Sequence, residues 1–174
     1  MNPIVVGVAD CQVSNDPESV LVTHALGSCI AVIIHDPGAS VGGLLHFMLP
    51  ESALDPGRAL EKPFMFADTG IPLLFHSAYR LGAEKRRLVV TAAGGAQIMD
   101  PGGVFNIGKR NHLSMRRILW KAGVPVTAED IGGLVSRTVR LEVATGRVLL
   151  CGAGEREQEI GAGRLARRQL FHGQ

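Results

Sequence analysis

Two apolar runs separated by Asp36-Pro37-Gly38 constrain the fold of this chain more than any other feature. Cys29 to His35 carries Ile30, Val32, Ile33 and Ile34 before the turn, and Val41 to Leu49 follows it. β-Branched residues suit a pleated, half-buried surface, and Asp, Pro and Gly each supply turn backbone. The spacing predicts a β-hairpin. Facing residue numbers in such a pair sum to a constant, about 75 or 76 for a turn centred near Pro37-Gly38. That register sets Cys29 opposite His46 or Phe47. Directly opposite side chains on one face have Cβ atoms ~4.5–5.5 Å apart, close enough for a thiol to meet an imidazole. A slip of one residue would turn His46 to the other face.

The rest of the chain reads as short strands and two helices. Ile4 to Val8 and Val20 to Leu26 are strand-like, the second broken by Gly27-Ser28. Pro50 to Pro63 is polar and rich in turn residues, so a loop. Phe64 to Leu81 has Ile71, Leu74, Phe75 and Ala78 at helical spacing, with Gly82 as its cap. Pro72 suggests that the regular helix starts there. Arg87 to Ala93 is a buried-type strand followed by Gly94-Gly95-Ala96 and an irregular stretch with Asp100-Pro101-Gly102-Gly103. Ile107 to Ala122 is the strongest helix, with Ile107, Met115, Ile118, Leu119 and Ala122 on one side and Lys109, Arg110, Arg116, Arg117 and Lys121 as a basic face. Three strands follow, Val124 to Ile131, Thr138 to Val143 and Arg147 to Leu150, the last two joined at Thr145-Gly146. From Gly152 the chain is polar, a frayed tail or an exposed helix. Residues 1–152 therefore form one domain and 153–174 a polar tail. Strands outnumber helices and the hairpins are local, which gives an α+β class with a largely antiparallel sheet.

Composition narrows the function. With 46% hydrophobic and 20% charged residues in 174, the chain is globular rather than disordered. A net charge of +2 excludes the strong basic bias of a dedicated nucleic-acid binder. The N-terminus lacks the basic region of a signal peptide, and no apolar run approaches the ~18–20 residues of a membrane helix. Cys11, Cys29 and Cys151 are odd in number and far apart, unlike a disulfide framework or a zinc site. His24, His35, His76, His112 and His172 have no metal-ligand spacing. The expectation is a cytoplasmic protein with reduced thiols and neither metal nor cofactor.

The Cys29–His46 pair then carries the chemistry. Only a thiolate attacks well, and a neighbouring imidazole can take the thiol proton and later protonate a leaving amine. Thr23 can orient the imidazole through its hydroxyl. Gly27 lets a substrate approach the backbone, and the N–H near Cys29 can serve an oxyanion. Ser28 either hydrogen-bonds within the site or only shapes the turn. Such a pair performs acyl transfer on amides, esters or thioesters. The competing reading is a small buried thiol and a satisfied core histidine. Asn106 to Asn111 either face a substrate groove or simply start a helix, and the basic face either meets an acidic partner or is solvated. Cys11 and Cys151 read as inert, and Trp120 as packing.

The segments "LGSCIAV", "GGLLHFMLP", "FADTGIPLL", "GGAQIM", "NIGKRN" and "AEDIGGLVSRTVRLEVATGRV" resemble, in order and spacing, the CheD family of bacterial chemotaxis proteins. The resemblance runs from about Ile4 to Leu150 and leaves the C-terminal tail uncovered. It implies a single-domain α/β sandwich with mixed strands flanked by helices. It also implies an amidase that converts glutamine side chains of methyl-accepting chemoreceptors to glutamate. Some members also remove methyl esters, and some bind a CheC-type phosphatase. The family's cysteine, histidine and threonine match Cys29, His46 and Thr23. The alternative is a docking module on receptors or a CheC-type phosphatase, with the thiol idle. A third reading is a redox-sensing cysteine.

Overall fold

The computed structural model describes residues 1–98, 102–103 and 105–160. Ten strands form two five-stranded sheets. In chain order they are β1 Asn2–Val5, β2 Asp10–Ser14, β3 Ser19–Leu26, β4 Ile30–Asp36, β5 Val41–Phe47, β6 Val89–Gly94, β7 Ala128–Ile131, β8 Arg137–Glu142, β9 Val148–Gly152 and β10 Gln158–Ile160. The α-helices are α1 Pro56–Glu61, α2 Ala67–Arg80 and α3 Ile107–Lys121. One sheet has the order β1-β3-β8-β9-β10 and the other β2-β5-β4-β6-β7. All pairs are antiparallel except β1 with β3 and β6 with β7. The mixed α+β architecture expected from the pattern is what the chain adopts.

Strand alternation sorts the core into two layers. On β4, Ala31 and Ile33 point to the first sheet, where they meet Leu21, Leu26, Val139 and Leu141. Ile30, Val32 and Ile34 point the other way, onto Ile71, Leu74 and Phe75 of α2 and Met115 and Leu119 of α3. The order of layers is therefore sheet, sheet, helices. β4 and β5 are covered on both faces, and all fourteen of their residues are buried. This is why their sequences read as continuous apolar runs rather than as alternation. Gly42 and Gly43 let the layers close. A Cβ on Gly42 would lie 2.9 Å from Leu141 Cδ2, and one on Gly43 2.9 Å from Leu74 Cδ1.

Several boundaries differ from the pattern reading. The turn between β4 and β5 is not centred on Pro37-Gly38. Asp36 pairs with Val41, leaving a four-residue loop. The Asp36 carboxylate accepts from the Gly38 and Ala39 amides, and Ser40 closes the loop in a left-handed conformation (φ 53). The stretch 50–63 is not plain loop. Asp55 caps α1 by accepting from the Arg58 amide, with Pro56 in its first turn. Helix α2 begins at Ala67 and runs through Pro72. The missing Pro72 N–H deprives only the carbonyl of Asp68, an exposed residue. Residues 124–127 lead into β7 rather than belonging to it. Trp120 is 81% exposed, so it does not pack. The polar segment after Gly152 is not all tail. It turns at Gly154 (φ 75) and returns as β10 along β9. Residues 161–174 lie outside the described residues, as do Met99, Asp100, Pro101 and Val104.

Candidate active site between the two sheets

Thr23 and His46 meet across the two sheets. Thr23 lies on β3 and His46 on β5, and both are 0% exposed. His46 Nδ1 is 2.7 Å from Thr23 Oγ1. The same hydroxyl donates to the Val6 carbonyl at 2.8 Å. A hydroxyl has one hydrogen. Because that hydrogen goes to Val6, the Thr23 oxygen accepts from His46 Nδ1–H. This fixes the tautomer and leaves Nε2 as a bare lone pair. Among the described residues, Nε2 has no hydrogen-bond partner. Burial lowers the His46 pKa from 6.5 to about 4, so the ring is neutral at physiological pH.

Cys29 sits in the bend immediately before β4. The β4–β5 pairs are Ile30↔Phe47 and Ala31↔His46. Cys29 is therefore not directly opposite His46, contrary to the two-residue-turn geometry. The four-residue loop moves the register by two relative to Cys29 opposite His46, so the side-chain face is kept. Cys29 and His46 are diagonal neighbours on the face between the sheets, where Cα atoms stand ~7–8 Å apart. No hydrogen bond joins Cys29 Sγ to His46 Nε2. Burial raises the Cys29 pKa, and a hydrogen bond from its own backbone amide lowers it by less. Thiol and imidazole are thus both neutral at rest.

A pocket of about 410 Å³ opens beside Cys29. Gly27, Ser28 and Gln97 line it with the apolar Ile98, Phe105 and Ile107. His46 does not line it, so a substrate in the pocket meets Cys29 with the imidazole buried behind. The loop that carries Cys29 is held on several sides. Gly95 N–H donates to Cys29 O at 2.9 Å and Ala96 N–H to Gly27 O at 2.8 Å. Gly94 has φ +116, and a Cβ there would overlap the Cys29 carbonyl oxygen. Arg137, nearly buried, reaches Gly94 O at 3.3 Å and pairs with Asp130 at 3.0 Å. On the strand before the loop, the β3–β8 register shifts between Thr23 and Leu26, and Ala25 takes φ 55. That bulge bends β3 between Thr23 and Leu26, shortly before the chain reaches the pocket residues Gly27 and Ser28.

The sequence pattern assigned no specific contact to two further groups near the site. One is the Val6 carbonyl, a backbone group. The other is Asn111, which lies on the buried stripe of α3 with Met115 and Leu119, four and eight residues on. A polar residue on that stripe was the signal available. Of the other thiols, Cys11 is pushed up to about 12 by burial and by Asp10, so it stays protonated. Among the described residues, no group of three or more His, Cys, Asp or Glu side chains could hold a metal ion. Among them too, no helix is long and apolar enough to cross a membrane. Part of the basic face of α3 is paired, Arg117 with Glu51 at 3.7 Å and Arg116 with Glu129 at 4.0 Å.

The family model described as CheD chemotactic sensory transduction matches residues 48–151, beginning just after His46. Relatives match over a larger share of the chain. A protein of Solibacter usitatus named probable chemoreceptor glutamine deamidase CheD is 56% identical over 160 residues, 92% of this chain and 95% of the relative. A similarly named protein of Anaeromyxobacter dehalogenans is 59% identical over 148 residues, 85% of this chain and 93% of its own. One of Syntrophus aciditrophicus is 49% identical over 160 residues, 92% of this chain and all of the relative.

Proposed function

Because the chain belongs to the CheD family, we propose that it is a chemoreceptor glutamine deamidase that works through Cys29, His46 and Thr23. The observation that carries the mechanism is the Thr23 hydroxyl, which donates to Val6 O and so holds His46 with Nε2 unprotonated. An imidazole held in that tautomer, on the same strand face as a thiol beside a pocket, is arranged to act as a base.

The reaction follows from these atoms. His46 Nε2 takes the Cys29 thiol proton as Sγ attacks the glutamine carboxamide carbon. Because both groups are neutral at rest, proton transfer accompanies attack rather than preceding it. Catalytic contacts of this kind tighten when substrate binds. The oxyanion forms beside the Cys29 backbone N–H. The first residues of α3, Ile107 and Gly108, line the same pocket, so the positive end of that helix favours the developing charge. His46 Nε2–H protonates the departing nitrogen, and ammonia leaves a thioester on Cys29. Nε2 then deprotonates a water that attacks the thioester. The tetrahedral intermediate expels the Cys29 thiolate, which recovers a proton, and the product is glutamate. Gly27 and Ser28 line the approach to the thiol. The receptor gains a negative charge on a helix surface, which biases the equilibrium of its bundle.

The test is incubation with a chemoreceptor cytoplasmic fragment and mass spectrometry of its glutamine-containing peptides. Glutamine-to-glutamate conversion at defined positions is expected. Tight binding without conversion would overturn the deamidase and favour a docking module.

A further inference from the structure

We propose that Asn111 is a positioning residue that fixes the separation of Cys29 from His46. The inference rests on the deamidase reading of the site. The β4–β5 ladder ends at Ile30↔Phe47, so Cys29 lies just past the last rung: the Gly95 amide holds its carbonyl on the β6 side, and no ladder pairing ties it to β5. Asn111 supplies the missing tie. It is 0% exposed on α3. Its Nδ2 donates to Ser28 O at 3.0 Å and to Met48 O at 2.8 Å. Ser28 precedes Cys29, and Met48 is two residues beyond His46. One side-chain amide thus bridges the nucleophile loop to the end of the strand that carries the base.

The donor atoms suit this task alone. A carboxamide nitrogen has two hydrogens, and each meets a backbone carbonyl. Flipping the amide would set Oδ1 against two carbonyl oxygens, so the orientation is determined. In this orientation Oδ1 is buried with no partner among the described residues. A residue selected only to fill the space would be apolar and leave no such atom. Asn111 therefore carries an unsatisfied acceptor for the sake of two donors. The neighbouring Ser114 offers a comparison. It is also buried on α3, and its Oγ donates to Pro50 O at 2.8 Å. It ties the same helix to the same segment after β5, but it does not reach the Cys29 loop.

The experiment compares Asn111→Ala, Asn111→Asp and Ser114→Ala in the full chain, each at a temperature where near-ultraviolet circular dichroism shows it folded. The readouts are kcat and KM for receptor-fragment deamidation and the pH profile of Cys29 alkylation by iodoacetamide, followed on the Cys29 peptide. Asn111→Ala is expected to lower kcat by at least about tenfold, with KM within about twofold, and to alter the alkylation profile. Asn111→Asp keeps the volume and at most one donor, so its kcat should fall between wild type and alanine. Ser114→Ala should lower the melting temperature and leave kcat and the alkylation profile unchanged. Wild-type kcat in folded Asn111→Ala would overturn the proposal, as would an equal loss in Ser114→Ala. If Asn111→Ala does not fold, unchanged kcat in Asn111→Asp overturns it. If the wild type converts no glutamine, the deamidase reading fails instead. The alkylation profile then decides the positioning role, and identical profiles in wild type and Asn111→Asp reject it.

Discussion

Replacing Thr23 by valine removes one oxygen and retains the shape. Two hydrogen bonds disappear, Thr23 to Val6 O at 2.8 Å and His46 Nδ1 to Thr23 at 2.7 Å. Val6, Thr23 and His46 are all buried, so water does not take over. Each abandoned buried group costs ~1–3 kcal/mol, which makes about 2–6 kcal/mol for the pair. For a chain of this size that is a drop in Tm on the order of 10 °C. The catalytic loss has a separate cause. Without its acceptor, the imidazole is free to move its proton to Nε2, and that tautomer cannot accept the thiol proton. General-base catalysis contributes roughly 10²–10⁴-fold, so kcat should fall by about 100-fold with KM nearly unchanged. Thr23→Ser keeps the hydroxyl and loses one methyl, at about 1 kcal/mol. It should retain kcat within about threefold. The assay is receptor-fragment deamidation well below each variant's Tm. A folded Thr23→Val enzyme with wild-type kcat would refute the orienting role.

The buried neutral His46 makes stability depend on pH. Its folded pKa is about 4 against 6.5 unfolded, so between these values the unfolded chain binds the extra proton. On the order of 3 kcal/mol is present above pH 6.5 and is lost as pH falls toward 4. Urea midpoints measured across that range should decline in wild type and decline less in His46→Gln, and equal slopes would count against the assignment. Gly94→Ala should be severely destabilised and inactive, because its Cβ would overlap the Cys29 carbonyl oxygen at a φ that alanine rarely adopts. A soluble, active Gly94→Ala enzyme would show that the loop around Cys29 can shift without loss.

The hairpin was legible because Asp36-Pro37-Gly38 separates two β-branched runs. Its register was not, because the loop length depends on Asp36 capping two amides and on the left-handed Ser40. The α+β class followed from the alternation of short strands and helices. The division into two sheets did not, since β2 follows β1 in sequence yet joins the other sheet, and β3 pairs with the distant β8. Cys29 and His46 stood out as lone reactive side chains in apolar runs. Thr23 was a candidate through its hydroxyl and matched the family's threonine, but its contact with His46 runs between sheets and no local period encodes it. Val6 acts through its carbonyl, which any residue possesses. Asn111 was within reach, being the polar member of an otherwise apolar helical stripe, but its partners on two other segments were not.

The most direct test of the central claim is to look for the thioester on Cys29. Acid-quenched mixtures of enzyme and receptor fragment are separated under denaturing conditions and examined by mass spectrometry. The account predicts a transient covalent adduct that maps to Cys29, yields to hydroxylamine, and is missing in Cys29→Ala along with all glutamate formation. Glutamine conversion at the wild-type rate by Cys29→Ala would contradict it.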